Sequence, residues 1–142
     1  MWIFETTREK KLYNFVLFLV RITIACFMLT HGLKKIDLLL SDDPVQFADP
    51  FNFGPVVTLT MVIFAEVVCS ALLIIGLATR LVVIPLIVTM VVAVFMIHGS
   101  DGFERQELGG IYLMVYVMLL VTGSGKYSLD HIICRKNRKM FY

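Results

Sequence analysis

The stretch Phe64–Arg80, FAEVVCSALLIIGLATR, restricts the fold most severely. It sets one carboxylate, Glu66, inside a long apolar run and ends in a turn so short that the chain must go straight back. A soluble domain of 142 residues cannot hide such runs, and 58% of this chain is hydrophobic against a usual share of about 45–50%. Lipid must therefore solvate part of the surface. The charged residues, 17% of the chain, cluster between long uncharged blocks, as in a polytopic membrane protein.

Taken in order, the chain opens on MWIFETTREKK. Trp2 and Phe4 are expected at the lipid interface, with Arg8, Lys10 and Lys11 in the aqueous layer. A basic start before an apolar block also fits a signal peptide, but no small-x-small cleavage site follows, so an uncleaved span is expected. The first span covers 12–33, is broken by Arg21, and ends at His31–Gly32 ahead of Lys34 and Lys35. An outer connection over 36–54 carries Asp37, Asp42, Asp43 and Asp49, with Pro44, Pro50 and Gly54 as breakers. Its Phe47, Phe51 and Phe53 are too apolar for a free linker and point to a segment folded over the bundle's end or lying in the interface.

The second span covers 55–78, with proline suited to its first turn and Gly76 letting it stop. The third covers 81–97, with a kink expected at Pro85. The fourth, 108–122, is the shortest and is expected to borrow neighbours such as Phe103 or Tyr127, or to thin the bilayer. A basic tail occupies 131–142. The fold class expected is an all-α membrane protein, a single four-transmembrane-helix bundle. Its termini share a side with the Thr79–Arg80 turn, and that side collects most of the Lys and Arg, so both termini are expected in the cytoplasm.

A lone acid in an apolar run needs a partner. Counted from the inner boundary, Arg21 lies roughly 13 Å deep and Glu66 roughly 18 Å deep. Levels that close predict a buried Arg21–Glu66 ion pair between antiparallel helices. It would act as a tie that sets register or as a tuned carboxylate for a proton or a quinone head group.

A second group is expected at the outer boundary, where His31 closes the first span, His98 closes the third, and Glu104 and Glu107 open the fourth. Such groups could bind a divalent metal, ligate haem or hydrogen-bond a quinone carbonyl. The absence of H-x-x-x-H or H-E-x-x-H spacing disfavours a metal, and the cluster best suits a small polar head group such as a quinone's. Cys26, Cys69 and Cys134 form no C-x-x-C, and Met90, Met96, Met114 and Met118 suit packing better than a copper path. No phosphate loop, nucleophile elbow or nucleic-acid motif appears.

Several short motifs follow one another in order: Arg21 in the first span; His31, Gly32 and Lys35 at its end; Ala65–Glu66; Gly76 to Arg80; and Gly123, Gly125, Tyr127, Ser128, Leu129 and Asp130. In that order they resemble the DoxX family of small four-helix membrane proteins, over nearly the whole chain. The resemblance implies a multi-pass inner-membrane protein in a quinol-oxidase or thiosulfate:quinone oxidoreductase setting. Distant animal relatives look like assembly chaperones of membrane receptors.

The expectation is therefore a quinone-linked accessory subunit of a membrane oxidoreductase complex, with His31, His98 and Glu107 shaping an outer pocket. The alternative is a non-catalytic assembly factor or scaffold packing against larger membrane subunits. Lipid and other membrane subunits are the expected partners, and quinone the candidate cofactor. Ser128–Leu129–Asp130 is expected to cap a short helix through its free amides.

Overall fold

A computed structural model describes residues 10–140, and every regular element among them is helical. The expected interfacial placement of Trp2, Phe4 and Arg8 lies outside the described residues. Among the described residues three helices are long and apolar enough to cross a membrane, and the chain is an all-α, multi-pass membrane protein.

Helix α1, Lys10–Leu39, has 30 residues. At 1.5 Å per residue it is about 45 Å long, well beyond a hydrocarbon core of about 30 Å. It therefore runs straight through His31–Gly32, where the sequence suggested an end, and continues for two more turns. Asn14, Leu17, Arg21, Ile24 and Met28 are buried along it at three- and four-residue intervals, which marks the face turned to the other helices.

Helix α2, Pro55–Ile75, contains a π-helical turn at Phe64–Cys69. It stops at Gly76, which adopts φ 70°. The Leu77 amide donates to Leu72 O and the Gly76 amide to Leu73 O, a Schellman closure that requires the left-handed glycine. Helix α3, Thr79–Ile97, has its own π-helical turn at Val92–Ile97 and remains helical through Pro85. Helix α4, Phe103–Thr122, starts on the charged segment ahead of the expected Leu108. Helix α5, Leu129–Met140, closes the chain.

The α1 helix packs along α2, α3 along α4, and the α2–α3 contact joins the two pairs; α4 also touches α1. The core sits where the helices converge, around Ala25, Leu73, Val83, Leu86, Tyr116 and Leu119. The outward faces are apolar as well: Phe27, Met61, Leu81, Phe95 and Met114 are exposed, as lipid-facing side chains should be. The segment 40–54 folds back over the α2 start. Asp49 accepts from the Phe53 and Gly54 amides and from the Thr58 hydroxyl, and Phe51 stacks on Phe53.

Candidate functional site

Arg21 and Glu66 are both buried, each 1% exposed, but they do not pair. The register of α1 against α2 separates them. A Cβ on Gly32 would lie 3.0 Å from Glu66 Cβ, and one on Gly76 would lie 2.8 Å from Arg21 Nη1. So Glu66 faces the level of Gly32, and Arg21 faces the level of Gly76. Those levels are eleven residues apart on α1, or roughly 16 Å. The expected ion pair fails because both depths were counted from an assumed common boundary, whereas α1 overruns the membrane and carries Arg21 toward the end where α2 turns into α3.

At that end Arg21 holds the segment between α4 and α5. Its Nη1 donates to Ser124 O and its Nη2 to Tyr127 O at 2.7 Å, while Cζ lies 5.7 Å from the Phe18 ring centre. Asn14 Oδ1 accepts from the Lys126 amide. Beyond it, Asp130 crosses to the α2–α3 turn. Its Oδ1 accepts from the Ala78 amide at 2.6 Å, its Oδ2 accepts from the Thr79 amide at 3.0 Å, and its own amide donates to Gly76 O. Ala78 has φ 50°, a left-handed value unusual for a residue with a Cβ, and Asp130 grips it there. Burial opposes ionisation of Asp130, but the Thr79 and Ala78 amides outweigh it and hold the carboxyl below its ordinary range.

The cap expected from Ser128–Leu129–Asp130 is thus divided. Ser128 Oγ accepts from the His131 amide and caps α5 itself, while Asp130 caps α3 from across the structure.

Glu66 instead meets Lys35, whose Nζ donates to Glu66 Oε1. Two things bring them together. Gly32 lets α2 lie close at that level, and Lys35 continues the inward stripe of α1 two heptads beyond Arg21. Glu66 lies in the π-helical turn of α2, a feature that often marks functional positions. Its Oε2 is buried and accepts no hydrogen bond among the described residues, as is also true of the Ser70 and Tyr116 hydroxyls. The Lys35 side chain stays 28% exposed, so the ammonium joins a buried anion to an open space.

That space is a cavity of about 920 Å³ between α2 and α3, roofed by Phe47–Phe53. Val57, Met61, Phe64, Ile84 and Val88 line it, and all five also present surface outward, so it opens laterally toward lipid. Both π-helical turns contribute to its wall through Ala65, Glu66, Val92 and Ala93. Its polar groups are few: Lys35, Glu66, Thr58, Thr60, Thr89 and His98.

Of the expected outer-end residues, only His98 reaches this cavity. Its Nδ1 lies 2.8 Å from Asp101 Oδ2, and this contact, with Arg105 close by, holds the Asp101 carboxyl below its ordinary range. His31 turns to α4, edge-on to Tyr112 at 6.0 Å between centroids. Glu104 and Glu107 are exposed at the start of α4 and do not line the cavity. The four-residue pocket of His31, His98, Glu104 and Glu107 is therefore not assembled, because α1 is still helical at His31 and α4 starts earlier than expected. Lys35 was missed as Glu66's partner; the Gly32-x-x-Lys35 spacing carried the signal. No three His, Cys, Asp or Glu side chains among the described residues are grouped to hold a metal ion.

Residues 16–99 match the family model described as DoxX, which takes in α2, α3 and most of α1. An uncharacterized protein of Haemophilus influenzae (strain ATCC 51907 / DSM 11121 / KW20 / Rd) is 31% identical over 93 residues. The match covers 62% of each chain, so this chain spans under two thirds of that relative's length. No solved structure matches.

Proposed function

The chain belongs to the DoxX family, and from that premise we propose a quinone-linked accessory subunit of a membrane oxidoreductase complex, with the quinone held between α2 and α3. The observation that carries this reading is the lateral cavity, apolar along its length and bearing the Lys35–Glu66 pair in its wall. Its volume falls within the usual range for small-molecule sites, about 300–1,000 Å³, and such sites combine apolar walls with a few placed polar groups.

A quinone has that character: two carbonyl acceptors on a flat ring and an apolar chain. Lys35 has three donors and spends one on Glu66, so it can donate to a carbonyl while Glu66 keeps it in place. The His98 ring offers a second polar contact, and its Nδ1 contact with Asp101 orients it. Valine, isoleucine, methionine and phenylalanine side chains take the apolar chain, and entry is lateral from the bilayer. A bound quinone supplies two-electron, two-proton acceptance; the protein's share is to bind, orient and keep water from the ring. On this reading α4 is the fourth span, both termini lie on the cytoplasmic side, and the host is a bacterial inner membrane, consistent with Lys11, Arg80, Lys126 and Arg135 clustering at one end.

Extraction and chromatography of quinone from the purified protein tests the reading. Wild type should carry quinone, and His98→Ala, at a side chain 37% exposed, should lose most of it with the fold unchanged. Wild type devoid of quinone but co-purifying with a larger complex would favour the scaffold role instead.

A further inference from the structure

The last helix lies outside the site just described and presents a second surface. We propose that α5 is an in-plane anchor that binds anionic lipid headgroups.

Its start is fixed at the membrane surface. The Asp130 amide donates to Gly76 O, where membrane-crossing α2 ends, and the Asp130 carboxylate caps α3 as it re-enters. Beyond this point the described residues of α5 make little contact with the other helices. Its apolar residues are therefore uncovered: Ile132 is 60% exposed, Ile133 47% and Leu129 39%. At 100° per residue, positions 129, 132, 133 and 140 fall on one face, all of them apolar.

The other positions supply the complementary charge. Arg135, Lys136, Arg138 and Lys139 follow within five residues, and no acid occurs after Asp130, itself engaged in the cap. Lys136 shares that register in the sequence. An uncovered apolar face, a dense positive charge and a start fixed at headgroup level fit an anionic bilayer surface better than water or a neutral one. The recognised chemistry is a phosphodiester headgroup with net negative charge above an acyl layer.

The test uses the full chain with Ile133→Trp as reporter and Trp2→Phe to remove the native indole. It is reconstituted into vesicles of phosphatidylcholine with or without about one third phosphatidylglycerol, part of the lipid brominated in its acyl chains. Strong bromine quenching is expected in anionic vesicles and much weaker quenching in neutral ones. Each basic residue changed to Gln should lower the lipid-bound equilibrium roughly fivefold at low salt. Equal quenching in both vesicles, or none in either, overturns the proposal. So does a blue-shifted emission without quenching, which would mean that protein rather than lipid covers the face. Ile132→Trp is a second reporter should the first variant fold poorly.

Discussion

The two buried charges of α1 and α2 lie in opposite kinds of surroundings. Arg21 is caged: backbone carbonyls from Ser124 and Tyr127 take its terminal nitrogens, the Phe18 ring faces its carbon, and the segment it holds goes on to cap α3. Glu66 meets one lysine, has one oxygen without a hydrogen bond, and borders open apolar space. The first arrangement joins distant parts of the chain. Each leaves one buried polar atom without a hydrogen bond among the described residues, Arg21 Nε and Glu66 Oε2, but only the second borders a cavity, as a ligand site requires. Two intramembrane charges of similar burial can thus serve one structural and one binding purpose, and their neighbours, not their depth, tell them apart.

Removing partners sharpens that contrast. The largest effect is expected from Lys35→Met, which strands the Glu66 carboxylate in the core and should cost about 3–5 kcal/mol, read as thermal unfolding in detergent. Adding Glu66→Leu should restore most of the loss, because a fully apolar pair removes the stranded charge. If the double variant were as unstable as the single one, the pair would be a structural tie like Arg21's, and the contrast would fail.

Arg21→Met should cost about 3 kcal/mol, the low end for two charged-donor hydrogen bonds at about 1.5–3 each, because the variant also removes the buried Nε that has no partner among the described residues. It should also speed proteolysis between Gly123 and Asp130 without lowering quinone content. Loss of quinone in that variant would show the two regions to be coupled.

Asp130→Asn should have the smallest effect, about 1 kcal/mol, because the amide oxygen still accepts one of the two amides. Its pH dependence follows from a folded-state carboxyl held below the ordinary range. The stabilisation is full above the unfolded value of about 3.9 and fades as pH falls through the lower folded value. The variant should lack that acid limb when unfolding midpoints are compared across acidic pH.

Much of the architecture was legible because lipid imposes long apolar blocks, and Gly76 and Pro55 mark where α2 stops and starts. The register between α1 and α2 was not legible. Apolar runs say that a helix crosses but not where it begins, and α1 extends past both expected limits of 12–33. One consequence was the misassigned partner of Glu66. Another was the proposed outer cluster, which required helix ends at His31 and Leu108 that do not exist. The inward stripe 14–17–21–24–28 could have been extended to Lys35 by spacing alone. The joining of the Gly76–Arg80 turn to Ser128–Asp130 had no such signal, since the segments are about fifty residues apart and only the folded chain brings them together.

That long-range closure has a bearing on biosynthesis. The turn between α2 and α3 leaves the ribosome well before the carboxylate that completes it, and Arg21 must enter the bilayer with its acceptors still unmade. A nascent chain halted ahead of Ser124 would hold the Arg21 guanidinium without these acceptors and the hairpin without its cap. The DoxX segment, 16–99, is therefore completed by residues that lie outside it and are made after it, Ser124, Tyr127 and Asp130.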